Sequence, residues 1–412
     1  MKLASLLLAL CLPFCAKAQL IWTRCSNGLP SNQVLSLTHI GSTIYAGTDK
    51  GGVFQSTDLG QSWTALPTHN SLSQSQTWSL AAVDTFLFAG QRGGGVLKIS
   101  EHGSSWTISN SGLTNKVLQD LIAKGDTLLT GTYGGGIFVS YDKATTWSSF
   151  HNNAGMDDRK IFSLTRNSTH WFTGTAGVNT YPDTGVAFRF PLNSSSWELI
   201  NTGFIRNGVH LEGVFSMDAN DEVVFAGTDD VGIFRSTDLG ANWTMVDNTA
   251  DVHAIKIVGN DVYYGTSYAG IRVSHDKGIT WSTNNSGLVY NGQTLPYLVK
   301  DFLVMGNTIY AATDMGVFKQ VLDGSAITEP AEELAALVIF APSKQVIAVS
   351  SLKGSAIHNV KLIDLTGKTL YEEKALHDHL EISTSQLSQG IYVVVVNHQN
   401  GTLSKKIWVG NH

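Results

Sequence analysis

The sequence predicts an all-β chain, a seven-bladed β-propeller closed by its own N-terminal strand and followed by a small C-terminal β-sandwich. Three observations predict it. A unit of short apolar runs separated by glycine-rich turns recurs along most of the chain. An outer-strand tryptophan accompanies every unit but the last, and the missing piece lies at the N-terminus. Beyond residue 336 the unit disappears and a different set of short strands begins.

The unit is clearest from Ile44 to Trp63, where an apolar run ends in Ala-Gly-Thr and a second short run leads into a Ser-x-Asp-x-Gly-x-x-Trp turn. Ser56, Asp58, Gly60 and Trp63 carry the first copy; Asp238, Gly240 and Trp243 carry another, as do Asp276, Gly278 and Trp281. A further copy keeps Asp142 and Trp147 but has Ala144 in place of glycine. A short carboxylate accepts hydrogen bonds from amides of its own turn, and glycine two residues on supplies a positive φ. These aspartates are therefore structural, and the tryptophan offers a large apolar face to fill the wedge between neighbouring sheets.

This turn resembles the Asp box, or BNR repeat, of sialidases, sortilin-type receptors, xyloglucan-degrading enzymes and a photosystem II assembly factor. The resemblance implies blades of a β-propeller over about 300 residues. It does not imply one function, because enzymes and pure binding proteins share the motif.

The first eighteen residues read as a signal peptide, residues 1–18. Lys2 is followed by an apolar run, Leu3 to Cys15, too short to span a bilayer, and Ala16-Lys17-Ala18 has the small-x-small form of a cleavage site before Gln19. Cys11 and Cys15 leave with it, so the mature chain keeps only Cys25, a small core residue, and no disulfide framework. With 27 Lys+Arg against 33 Asp+Glu the chain lacks the basic face that nucleic acid requires, and no later apolar run spans a membrane.

The ring occupies residues 19–324. Ala-Gly-Thr or a close relative ends an apolar run at Thr48, Gln91, Thr132, Thr175, Thr228, Thr266 and Thr313, 38 to 53 residues apart. Outer-strand tryptophans stand at Trp63, Trp106, Trp147, Trp197, Trp243 and Trp281, and the unit after Thr313 runs out without one. Ile21 to Leu29 aligns with Trp106 to Leu113, so the N-terminal strand is expected to complete the last blade and remove its exposed edge. In blade one the strands are Val34 to His39 (A), Thr43 to Gly47 (B), Val53 to Gln55 (C) and Trp63 to Leu66 (D), which makes the Asp-box turn the C-to-D hairpin. Blade four carries an insertion, Ala176 to Gly185, and its turn has decayed at Phe190 to Trp197.

Connections alternate faces, so the B-to-C and D-to-A loops emerge together opposite the Asp-box turns, where a ligand is expected. The ligand-binding candidates there are Arg92, Tyr133, Tyr181, Tyr268, Trp78 and Tyr297. Aromatics and acids suit a glycan, whose apolar faces stack on rings while its hydroxyls bond carboxylates, and equally a cell-surface protein.

A glycoside hydrolase is the alternative. It needs two opposed carboxylates about 5 to 10 Å apart, and Asp49, Asp229, Asp230 and Asp314 on blades one, five and seven are the candidates. The sialidase resemblance would further require an arginine cluster and an N-terminal Arg-Ile-Pro-like segment on a six-bladed ring, which this chain lacks. No cofactor motif and no metal motif is present: the glycine triplets at Gly93 and Gly134 precede strands rather than helices, and His377-Asp378-His379 reads as a solvated turn.

Residues 325–336 form an acidic, alanine-rich linker, and residues 337–412 a sandwich with strands at Val346 to Ser350, Asn359 to Asp364, Leu380 to Ile382, Ile391 to Val396 and Ser404 to Val409. This segment resembles the C-terminal sorting domain of the type 9 secretion system, through Val360-Lys361-Leu362-Ile363-Asp364 ahead of Gly367-Lys368, Leu387 to Val395 with Gly390-Ile391-Tyr392-Val393-Val394, and Lys405-Lys406-Ile407-Trp408-Val409. The usual opening Pro-Asn-Pro is replaced by Ala341-Pro342-Ser343. The resemblance implies a partner in that secretion machinery, delivery to the medium or outer surface, and removal of the domain near the linker.

Overall fold

The computed structural model describes residues 21–30, 33–49, 52–69, 76–150, 160–176, 187–192, 194–206, 209–210, 213–229, 231–249, 251–290, 293–294 and 298–322, then 336–341, 346–351, 357–364, 368–374, 379–388, 390–398 and 401–409. The chain divides into two compact units, Met1–Thr328 and Glu329–His412. The predicted leader and most of the predicted linker lie outside the described residues.

The first unit is built from seven four-stranded antiparallel sheets. Blade one runs Val34–Ile40, Thr43–Thr48, Val53–Ser56 and Thr64–Ala65 as strands A to D. The A strands of the next six are Thr77–Val83, Leu118–Lys124, Lys160–Arg166, Val214–Ala219, Val252–Val258 and Val299–Met305. No α-helix occurs among the described residues.

The last blade closes as expected: Thr23–Arg24 pairs antiparallel with Gly316–Val321, Thr23 opposite Lys319 and Arg24 opposite Phe318. Trp22 is the seventh outer tryptophan. It is 1% exposed, its indole N–H donates to Asn284 O at 2.9 Å, and it packs with Tyr263, Ile309 and Phe318 between blades six and seven. Cys25 packs with Trp63 and Tyr310 in the next wedge, and burial pushes its thiol up to about 12, so it is a core residue rather than a nucleophile.

Every A strand has the same β-bulge. The register against strand B slips between Val34 and Ser36, Thr77 and Ser79, Leu118 and Asp120, Ile161 and Ser163, Val214 and Ser216, Val252 and Ala254, and Val299 and Asp301. One residue per blade is thus unpaired with its neighbour strand, and the strand bends there. The seven A strands line an axial channel of about 470 Å³.

The second unit has a three-stranded sheet, Ala336–Ala341, Val346–Ser351 and His379–Ser383, and a four-stranded sheet ordered Thr369–Glu373, Ile357–Asp364, Gly390–His398 and Gly401–Val409. Ile347, Val349, Val360, Leu362, Ile382 and Val394 form its core. The first strand begins at Ala336, inside the predicted linker, because alanine-rich sequence before Leu337 continues directly into an apolar run. Thr369–Glu373 was not expected as a strand, since its alternation carries glutamates instead of a clear apolar face.

Candidate functional site

The two faces of the ring use their polar groups differently. In the Asp-box turns the recurring serine and aspartate spend their side chains locally. Ser56 Oγ accepts from Gly60 N at 2.8 Å and donates to Asp58 Oδ1 at 2.7 Å, while Asp58 also accepts from Ser62 N and Ser62 Oγ at 2.9 and 2.5 Å. The Ser62 hydroxyl and amide hold the Asp58 carboxyl down at about 2. Asp142, held at about 2 chiefly by Thr146, and Asp276, held lower still by Thr280, repeat the geometry. At Asp238 partial burial works upward, and bonds from Asn242 and Ser236 outweigh it. Ala144 sits at φ 61° and still donates to Ser140 Oγ at 2.9 Å, which explains how the copy without glycine keeps its turn. The tryptophans then reach back one blade: Trp63, Trp147 and Trp243 donate to Cys25 O, Ser109 O and Ile200 O at 2.8 Å each.

On the opposite face two positions per blade surround the channel mouth. The first is the bulge residue of strand A: Leu35, Trp78, Gln119, Phe162, Phe215, His253 and Lys300, all lining the channel. The second is the residue just after strand B, which includes Asp49, Arg92, Tyr133, Asp229 and Asp314. Its amide bonds the carbonyl ahead of a strand A, as in Asp49 N to Gln33 O, Tyr133 N to Val117 O and Asp314 N to Leu298 O. The backbone at both positions is therefore fixed, while the side chains differ from blade to blade.

Those side chains sort into a cationic arc and an aromatic one. Arg92 and Lys300 both face the Trp78 ring, at 5.1 and 5.6 Å from its centroid, and Lys160 sits 4.7 Å over Tyr133. Next to them Tyr133 meets Phe162 edge-on at 6.3 Å, Phe162 meets Phe215 at 4.6 Å, and Phe215 stacks with His253 at 5.9 Å. Burial, with Lys300 adding, pushes His253 down to about 4, so it is neutral in its contact with Ser267 Oγ at 2.8 Å. Burial also holds the Lys300 ammonium below the usual lysine range, Asp314 opposing and Arg92 adding to the shift. Among the described residues Arg92, Lys160 and Lys300 have no ion pair, whereas Lys143, Arg189, Arg272 and Lys277 each hold a carboxylate.

Sequence reasoning placed Trp78 on a loop, but it belongs to strand A, Thr77–Val83, where the bulge turns it to the mouth. Arg92 and Tyr133 are brought to the same mouth, and Tyr268 stands 77% exposed just past strand B of blade six. Tyr181, Tyr297 and Asp230 lie outside the described residues. Of the acidic candidates, Asp49 accepts from the Gln76 side-chain amide, Asp229 O accepts from Asp251 N at 2.9 Å, and burial raises the Asp314 carboxyl. Phe162, Phe215, His253 and Lys300 were missed. Their signal is the frame Val34-Leu35-Ser36-Leu37, Thr77-Trp78-Ser79-Leu80 and so on to Val299-Lys300-Asp301-Phe302, in which the third residue is Ser, Ala or Asp while the second ranges from Leu and Phe to Gln, His and Lys.

Deeper in the channel, Asp120 accepts from Leu121 N and from Leu164 N of the next blade, at 2.8 and 2.7 Å. Asp301 does the same with Phe302 N and with Leu37 N of blade one, both at 2.8 Å. Burial pushes the two carboxyls up to about 6 and about 7. Asp218 links blade five to Ile257 N at 2.8 Å. These acids fasten neighbouring blades from inside.

The comparisons agree with this architecture. Residues 341–410 match the family Secretion system C-terminal sorting domain. The chain thus carries a type 9 sorting domain, which marks it for secretion and outer-surface attachment. No curated protein matches the chain. Among solved structures, YCF48 bound to D1 peptide is similar at 14% identity, covering 75% of this chain and 98% of that one, with a TM-score of 0.57. The extracellular domain of BT4673, a one component system of B. thetaiotaomicron, is similar at 16% identity over 93% of this chain and 52% of that one, TM-score 0.61. PorZ, a surface component of the type-IX secretion system of Porphyromonas gingivalis, is similar at 16% identity over 94% of this chain and 60% of that one, TM-score 0.54. The chain therefore spans little more than half of the latter two, and at these identities the likeness is one of β-propeller fold.

Proposed function

We propose that the exported propeller is a binding module for an extracellular or cell-surface partner, and that the channel mouth is its contact surface. The observation that carries this reading is the pair of variable positions per blade, whose side chains gather cations without carboxylate partners beside an aromatic arc. Rigid strands hold these groups, and unspent polar groups on a rigid frame favour recognition. That a chain of similar fold is known with a bound peptide is consistent with this reading.

The test screens the purified chain against a glycan array and a peptide library, beside an Arg92→Gln, Lys300→Gln double variant. Binding by the first and loss in the second supports the reading. Retention of all binding in the variant moves the contact surface elsewhere, and release of reducing sugar from a polysaccharide would replace binding with hydrolysis.

A further inference from the structure

We propose that the mouth takes a carboxylate of an acidic peptide segment, an Asp or Glu side chain flanked by an apolar residue, with Arg92 and Lys300 holding the carboxylate. This rests on the mouth being the binding surface.

Two cations share one indole there. Arg92 and Lys300 stand 5.1 and 5.6 Å from the Trp78 centroid, and the Arg92 charge acts on Lys300 against its protonation. Like charges converging on a half-buried ring raise the free energy of the empty site, and an anion between them removes that repulsion. Asp314 does not serve as that anion. It influences Lys300 from beyond ion-pair distance, and its Oδ1 is buried without a hydrogen-bond partner. Arg92 is exposed and, among the described residues, holds no carboxylate, so its N–H groups stay available to one.

The neighbouring wall decides the class of ligand. Phe162 contacts Phe215, and Phe215 in turn stacks with neutral His253, an apolar and uncharged surface suited to a hydrophobic side chain. A sugar ring would instead need a bare aromatic face beside hydroxyl partners. Trp78 and Tyr133, the rings best placed for it, are already covered by cations.

The test is selection of a random heptapeptide library on the full chain, with the Arg92→Gln, Lys300→Gln variant for counter-selection and alginate as an acidic glycan probe. Peptides pairing Asp or Glu with an apolar residue are expected to be enriched. Replacing that acid by its amide should weaken binding about tenfold, as should either single substitution, and added salt should weaken it further. Asp314→Asn removes a competing negative charge and should tighten binding. Equal binding of acid and amide peptides, a pool no different from that of the double variant, or weaker binding by Asp314→Asn overturns the proposal. Binding of alginate without peptide enrichment overturns it in favour of an acidic glycan and leaves the binding reading intact. Silence in every arm removes both. Unchanged melting temperatures of the variants exclude misfolding as the cause of a loss.

Discussion

The turn face and the mouth face of the same ring differ in one respect. On the turn face, Ser56, Asp58 and Ser62 and their copies satisfy one another, and Trp63, Trp147 and Trp243 bind the blade before them. On the mouth face the backbone repeats as strictly, but the side chains at Leu35, Trp78, Gln119, Phe162, Phe215, His253 and Lys300 range from aliphatic and aromatic to amide, imidazole and ammonium. Repetition of side chains marks positions committed to the fold, and repetition of backbone without it marks positions open to recognition.

If the outer shell holds the ring, removing its closure is the most damaging change. Deleting residues 21–30 takes away Trp22, the Thr23–Arg24 strand and the Trp63 partner at Cys25 O. The expected loss is on the order of 3–5 kcal/mol or more, seen as a lower melting temperature and as self-association through the exposed edge of Gly316–Val321. Gly28→Ala attacks the same junction more gently. Gly28 has φ 90°, and a Cβ there would lie 2.2 Å from Trp63 O, so a loss of about 1–3 kcal/mol is expected in thermal or urea melts.

The inner wall gives a pH-dependent contrast. Asp301 has a folded-state value of about 7, above the unfolded carboxylate at about 4, so its stabilising contribution is complete below about pH 4 and is lost as pH rises through about 7. The melting temperature should therefore fall by a few degrees from about pH 5 to about pH 8. In Asp301→Asn that slope should flatten, because an amide does not titrate and stands in for the neutral carboxyl that faces Leu37 N and Phe302 N at acid pH. The smallest effect on stability belongs to the mouth: Lys300→Met should leave stability unchanged or raise it by up to about 0.5 kcal/mol, since the ammonium it removes is desolvated without an ion pair, while ligand binding weakens about tenfold.

Much of the fold was legible because its determinants are local. Ser-x-Asp-x-Gly-x-x-Trp encodes its hydrogen bonds within a few residues, and Trp22 aligns with Trp106 well enough to reveal the closing strand. The mouth was only partly legible. Arg92 and Tyr133 follow the Ala-Gly-Thr-like runs and could be found by counting, but Phe162, Phe215, His253 and Lys300 lie inside strands. Their outward turn depends on a bulge that no single blade announces; only the superposed seven show it. In the second unit, Thr369–Glu373 is a strand through pairing with Ile357–Asp364, a tertiary cause that its own glutamate-bearing sequence conceals.

The most direct measurement puts a photo-crosslinking phenylalanine at Tyr268 or at Tyr141 in the native host. Both side chains are open to solvent, at 77% and 65%, Tyr268 following strand B on the mouth side and Tyr141 lying within an Asp-box turn. The account predicts a defined adduct from Tyr268, abolished by Arg92→Gln with Lys300→Gln, and none from Tyr141. An adduct from Tyr141 alone, or one from Tyr268 that survives the double substitution, would contradict it.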